Sequence, residues 1–426
     1  MKHKLRDFYI LWITQGLSQL GSTMTNFALM LWLYQKTGSA LQTALLSICS
    51  YAPYVVASIF AGAFSDKWNK KRTLLLCDAL SAGCTITVFV LLQGGLLSPW
   101  HLYALNALNG LMNTVQNPAS NVAATLITPR DLYQKTSSLR ALSDSVITIL
   151  HPALATVLFA VGGMTVVILV DLGTFLAAFI ALLLFVRIPQ PEQYVDKKNE
   201  GILVAAKAGL KCLSENKLVL YLILFLAGVN LVASAFDAVL PAFILPNTHG
   251  GKSVLGIVTS FAGIAMLIGS LLAAILPPPK NRVRLIVLSM FVSLTIDNFL
   301  MSVSTTPVIW CLAQIFGYLP VPLMNTNLDV IIRTAIPTHM QGRVYACRNT
   351  LQFFTIPIGF LFGGWMVDAV CEPFMAGIKG DHIMTSLFGQ VKGAGAALMI
   401  FLLGLLGFAI CLFFGKILKN TVLLHD

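Results

Sequence analysis

The chain has 426 residues, of which 57% are hydrophobic and 11% charged, with 28 Lys and Arg against 17 Asp and Glu and a formal net charge of +11. A composition this apolar excludes an ordinary soluble domain, where about 25% of residues are charged. The eight cysteines show no C-x-x-C spacing, so neither a disulfide framework nor a cysteine metal or redox centre has support. Buried thiols acting as small hydrophobes account for them.

A helix needs about 20 apolar residues to cross the hydrocarbon core, where only helices or closed barrels satisfy the backbone. Tyr9–Tyr34 is the first such stretch, preceded by Lys2, Lys4 and Arg6. It is too long for a signal peptide, carries Gln15 and Gln19, and lacks a small-x-small cleavage site, which predicts a retained helix one. Helices two to six are predicted at Leu41–Phe64, Thr73–Gly94, Trp100–Leu126, Ser138–Val161 and Met164–Val186. Arg187–Lys217 is a long polar break with Pro189 and Pro191, closing on an amphipathic piece, Ile202–Leu213, that sets Lys207 and Lys211 opposite apolar residues. Helices seven to twelve follow at Leu218–Pro246, Ser253–Leu276, Val283–Val303, Pro307–Ile336, Arg348–Val370 and Gly393–Phe414.

With the N-terminus inside, 24 of the 28 basic residues fall on the cytoplasmic side, leaving Lys36, Lys252, Lys379 and Lys392 outside. That asymmetry is the positive-inside pattern. It directs the net charge toward an anionic inner leaflet rather than nucleic acid. The reading is an all-α membrane protein of 12 transmembrane helices with both termini cytoplasmic. Its predicted parts are a bundle over 1–186, a linker over 187–217 and a second bundle over 218–426.

The halves echo each other. Pro129, Lys135 and Arg140 follow helix four, and Pro337, Arg343 and Arg348 follow helix ten at a constant offset of 208. The second-to-third loop reads Gly62, Asp66, Lys67, Asn69, Lys70, Lys71 and Arg72, which resembles the G-x-x-x-D-[RK]-x-G-[RK]-[RK] signature of the major facilitator superfamily. Asn69 stands where Gly is usual, and an Asn tolerates a left-handed turn. The run from Asn109-Gly110 through Asn117-Pro118-Ala119 to Thr128-Pro129, with His151-Pro152-Ala153, is similar to the Mef-type macrolide-efflux branch, the third drug:proton antiporter family. The resemblance implies two pseudo-symmetric six-helix bundles, with helices one, four, seven and ten around a central cavity. It also implies that Asp66 latches a cytoplasmic gate with Gly62, Lys67, Lys70, Lys71 and Arg72. A carboxylate at a helix N-terminus meets unsatisfied N–H groups there.

Gln15, Gln19, Ser22 and Asn26 step by four, three and four along helix one, and Asn106, Asn109, Asn113, Asn117 and Asn121 follow at steps of three and four along helix four. Asn230, Ser234 and Asp237 share a face of helix seven. Polar stripes in lipid must face protein or water, so they either line a substrate path or bond helices together. Among the intramembrane acids, Asp144 follows Arg140 by four and Asp329 precedes Arg333 by four, spacings that suit ion pairs. Asp78, Asp171 and Asp297 fall on helices three, six and nine, peripheral by the resemblance. Asp237 has no basic residue within helical reach, which makes it the leading proton-coupling acid, with Asp144 the second candidate. Phe27, Tyr34, Tyr51, Tyr54, Phe236, Phe243, Phe316, Tyr318 and Met324 are candidates for an adaptable apolar wall or for ordinary packing. Gly359 and Gly363 form a close-packing G-x-x-x-G. The 371–392 loop is either a lid or a surface turn.

The resemblance implies proton-coupled efflux of amphipathic compounds, macrolides or lipophilic cations, by alternating access. A lysolipid flippase or small-metabolite permease of the same fold is the alternative. A lipid-modifying enzyme needs paired acids or a nucleophile with a base, which these spans lack, and an ATP-driven pump needs a G-x-x-x-x-G-K-[ST] loop, also lacking. The expected partners are a small-molecule substrate, protons and membrane lipids. No nucleic acid, metal or cofactor is expected, and the expectation is a monomer in a prokaryotic-type plasma membrane.

Overall fold

The computed structural model describes residues 5–67, 69–129, 132–189, 202–378 and 382–423, and their regular structure is entirely helical. The chain forms two compact units, Met1–Leu33 with Cys49–Glu200, and Tyr34–Ile48 with Gly201–Asp426. Eight helical stretches among the described residues are long and apolar enough to cross a membrane.

In the first unit lie most of α1 (Arg6–Thr37) and α2 (Ala40–Lys67), with α3 (Lys70–Gln93), α4 (Pro99–Leu126) and α5 (Tyr133–Leu184). Asn69 does not take the left-handed turn expected of it. Its φ of −65° and ψ of 114° are extended, and its side chain caps α3 by accepting from the Arg72 N–H at 3.2 Å. The 52 residues of α5 would extend about 78 Å, far beyond one crossing. Gly162 (φ −145°, ψ 20°) and Gly163 (φ 64°, ψ −161°) break it between the predicted fifth and sixth helices. Only glycine enters the Gly163 conformation without strain. Lys71 lies at the far end of the same helix, donating through Nζ to the Leu183 and Val186 carbonyls at 3.0 and 2.8 Å. A cation there satisfies orphan carbonyls and the negative dipole end. Leu11, Leu74, Ala119, Ala123, Leu182 and Val186 form one apolar cluster of this unit.

The second unit contains α6 (Ile202–Glu215), α7 (Lys217–Ile244), α8 (Lys252–Ile275) and α9 (Arg282–Phe291). A π-helical turn, Val292–Ile296, then leads into α10 (Asp297–Val303), α11 (Pro307–Tyr318) and α12 (Pro320–Ala335). Next come α13 (Thr338–Phe353), α14 (Thr355–Met366), a second π turn (Val367–Cys371), α15 (Glu372–Gly377), α16 (Ile383–Phe388) and α17 (Ala394–Leu423). Predicted helix ten is interrupted before Pro320, which has no N–H to continue the ladder. Predicted helix eleven begins at Thr338 rather than Arg348, because its first turns are polar and carry no hydropathy signal. The 371–392 loop contains two short helices, and its Asp381 lies outside the described residues.

Apolar residues surround α7 on nearly every face, and it is correspondingly buried. Gly359 and Gly363 let α14 approach it closely, since a Cβ on either would collide with Ser234 and Leu231 or with Ala235. Ala44, Ala238 and Phe360 extend this seam to the start of α2. There the Asp368 carboxylate accepts from Ser39 Oγ and from the Ala40 and Leu41 N–H groups, the last two at 3.0 and 2.9 Å.

Candidate functional site

The first unit encloses a cavity of about 580 Å³ among α1, α3, α4 and α5. Gln15, Gln19, Ser22 and Asn26 line it from α1, and Asn106, Asn109, Asn113, Gln116 and Asn117 from α4. Asp78 enters from α3, while Arg140, Asp144 and Asp171 come from α5. The two polar stripes therefore converge on one space.

Their members divide into two roles. Gln15 donates through Nε2 to Asp78 Oδ2 at 3.0 Å, Gln116 to Asp78 Oδ1 at 2.6 Å, and Ser22 Oγ to Asp171 Oδ1 at 3.1 Å. Asn106 is buried and donates to the Leu102 carbonyl at 3.0 Å. These groups bond helix to helix or close a turn. Gln19, Asn26, Asn113 and Asn117 are exposed at the cavity, and no side-chain hydrogen bond to protein engages them among the described contacts. Asn109 Oδ1 is buried without a partner. The cavity wall thus offers amide donors and acceptors to whatever fills it.

Asp78 and Asp171 are not peripheral supports: both are buried with their carboxyls at this cavity. A buried carboxylate demands donors, and amides on neighbouring helices supply them. Gln116, absent from the predicted stripe, was detectable only as a donor one turn after Asn113. The expected Arg140–Asp144 ion pair is not formed among the described contacts. Asp144 is exposed in the cavity and Arg140 half-buried beside it. Three carboxyls and one guanidinium thus share the space.

In the second unit Asp237 is exposed, and Tyr318 Oη donates to its Oδ1 at 3.2 Å. Asn230 and Ser234 do not join it on an open face. Asn230 Nδ2 donates to the Gln352 carbonyl at 2.9 Å, and buried Ser234 donates to the Asn230 carbonyl at 2.6 Å against Gly359. Both are consumed in packing α7 onto α13 and α14. Asp329 pairs with Arg348, Nη1 and Oδ1 being 3.0 Å apart. Arg348 Nε also donates to Gln352 Oε1 at 3.0 Å. The Arg333 side chain lies outside the described residues.

The proposed apolar wall is largely core. Phe27, Tyr34, Phe236, Phe243 and Met324 are buried, with Phe27 edge-on to His151 and Phe243 edge-on to Trp310. Tyr51 and Phe316 are exposed and Tyr318 is half-buried; the Tyr54 side chain lies outside the described residues. So do the side chains of Gly62, Asp66 and Lys67, although their backbone continues α2. Of the other gate residues, Lys70 is buried in the first turn of α3, Lys71 caps α5 and Arg72 is exposed. No group of His, Cys, Asp and Glu among the described residues is arranged to hold a metal, and all eight cysteines are free.

Known proteins agree with this architecture. The chain is 25% identical to Macrolide efflux protein A of Streptococcus pyogenes over 369 residues, covering 85% of this chain and 90% of that protein. It is 24% identical to the Multidrug efflux pump Tap of Mycolicibacterium fortuitum over 381 residues, covering 86% and 89%. Among solved structures it resembles a bacterial homologue of the human lysosomal transporter Spinster in an inward-facing, occupied conformation. That match has a TM-score of 0.73 at 14% identity, covering 97% of this chain and 96% of the other. It also resembles the nucleoside transporter NupG, with a TM-score of 0.71 at 13% identity, covering 94% and 98%. Residues 11–360 match the Major Facilitator Superfamily, and the chain belongs to that family of membrane transporters.

Proposed function

We propose that the chain is a proton-coupled exporter of amphipathic compounds such as macrolides or lipophilic cations, working by alternating access. It spans a prokaryotic-type plasma membrane with twelve helices, in two six-helix halves over 1–186 and 218–426 joined by the 187–217 linker, with both termini cytoplasmic. Relatives named for macrolide and multidrug efflux, matched over most of their length, support the substrate class. One observation carries the reading: the cavity of the first unit presents Gln19, Asn26, Asn113 and Asn117, which no side-chain hydrogen bond engages among the described contacts, beside the exposed Asp144. Uncommitted amides bind hydroxyl and carbonyl groups, and an exposed carboxylate binds an amine or a proton. Asp237, the other exposed intramembrane acid of this argument, is the proposed coupling group. Substrate binding and protonation then favour different cavity states, and their difference in affinity moves the equilibrium. Gly62, Asp66, Lys67, Lys70, Lys71 and Arg72 form the cytoplasmic gate motif in this account.

The amide-rich wall also favours a second reading, a permease for a hydroxylated metabolite. Energised inside-out vesicles given a macrolide and a fluorescent lipophilic cation separate the two. Accumulation that collapses with nigericin supports drug export. Failure of both compounds with folded protein present leaves the metabolite reading.

A further inference from the structure

We infer that Asp297, buried where α10 packs on α11, is a second proton-binding site, linked to Asp237 through the last turn of α11. The inference rests on the proton-coupled reading above and adds a site to it.

Asp297 is 5% exposed, and its Oδ1 has no hydrogen-bond partner. Its carboxyl lies against Gly317 so closely that a Cβ there would overlap it. Gln314, one turn earlier on the same face of α11, is 1% exposed, and its Nε2 also lacks a partner. An orphaned acceptor and an orphaned donor thus occupy one helix seam. Native interiors rarely leave such groups unmet without an unseen water, ion or proton. The amide N–H groups of Gln314 disfavour a metal cation beside them. A proton on Asp297 with an ordered water satisfies both residues.

No countercharge bonds to Asp297 among the described contacts. The titratable groups on the packed elements are Lys217, Tyr221 and Asp237 of α7, Arg282 and Arg284 of α9, Cys311 and Tyr318 of α11, Asp329 and Arg333 of α12, and Cys411, Lys416 and Lys419 of α17. The remainder of the α17 seam presents Gly404 to Asn298 and Phe299, and Gly407 to Leu294. No Lys, Arg or His bonds to Asp297 among the described contacts.

The link to the exposed acid is short. Gly317 touches Asp297, and the adjacent Tyr318 donates to Asp237. The π turn Val292–Ile296 ends immediately before Asp297, and its Ser293 donates to the Gly317 carbonyl at 2.6 Å. Such turns recur at functional sites. A proton leaving Asp237 by way of Tyr318 Oη and ordered water joins Asp297, one carboxyl losing what the other gains.

Infrared spectroscopy of the purified full-length protein, substrate-free and with isotopically labelled aspartate carboxyls, tests this without transport. The expected result is a protonated-carboxyl band that survives Asp237→Asn and disappears in Asp297→Asn. Should Asp297→Asn fail to fold, Gly317→Ala, which presses a methyl onto the carboxyl, is expected to shift the band. Wild-type vesicles are further expected to show two macroscopic steps in the pH profile of uptake, separated by about 1 unit or more, and Asp297→Asn vesicles one. Absence of the band in wild type, or its replacement by a sodium-dependent signal, overturns the site. A band present without export sinks the functional reading alone, and export without the band sinks the site alone.

Discussion

Asp368→Ala strips three acceptor contacts from the first turn of α2. In the native chain this carboxylate accepts from Ser39 Oγ, the Ala40 N–H at 3.0 Å and the Leu41 N–H at 2.9 Å. The donors are orphans of a helix N-terminus, and a carboxylate there also meets the positive dipole end. Each hydrogen bond to a charged group contributes about 1.5–3 kcal/mol, but Ser39 Oγ already caps the helix by accepting from the Gln42 N–H. Solvent also recovers part of the loss, so about 2 kcal/mol is expected for the variant. That corresponds to roughly 30-fold faster amide exchange at residues 40 and 41, since 1.4 kcal/mol is a factor of ten. Asp368→Asn keeps one acceptor and is expected to lose about half as much. Hydrogen exchange of the detergent-solubilised protein reads this directly, with the α17 amides as an internal reference. Unchanged exchange at residues 40 and 41 in the Ala variant, with the fold intact, would refute the capping argument.

Three other substitutions probe the packing. Gly163→Ala forces a side chain into φ 64°, ψ −161° and is expected to lower stability by about 1–3 kcal/mol in thermal unfolding, whereas Gly173→Ala, in open space, is not. Gln116→Leu leaves Asp78 Oδ1 without its donor and is expected to cost about 1–3 kcal/mol; doubling it with Asp78→Asn should recover part of this in a double-mutant cycle. Gly359→Val drives a side chain into Ser234 and the Leu231 carbonyl, so α14 is expected to separate from α7 and the folded yield to fall. Wild-type yield from Gly359→Val would contradict the close approach.

How much of this was legible depends on whether the cause was local. The interruption at Gly162 and Gly163, the Pro320 break and the Gly359–Gly363 contact follow from residues whose backbone options are restricted or whose side chains are absent, whereas Asn69, expected in a left-handed turn, is extended and caps α3. The short helix after the central break was equally visible, because Lys207 and Lys211 sit opposite an apolar face. The direction in which a helix turns its acids was not. Asp78 and Asp171 were assigned to the periphery by helix number, yet helix azimuth is set by tertiary packing, and Gln15, Gln116 and Ser22 hold both carboxyls at the cavity. Ion-pair spacing misled for a related reason. A four-residue step allows Arg140 to reach Asp144, but cavity exposure leaves both groups with other choices. The π turns at 292–296 and 367–371 have no sequence signature comparable to a proline.

The coupling role of Asp237 is the central claim, and uptake into energised inside-out vesicles by wild type and Asp237→Asn tests it most directly. Asn preserves the shape and an acceptor for Tyr318 but binds no exchangeable proton. The account predicts that proton-driven accumulation of a macrolide is lost in the variant while binding of the same compound persists. Accumulation at the wild-type level, still abolished by nigericin, would contradict it and transfer the coupling role to Asp144.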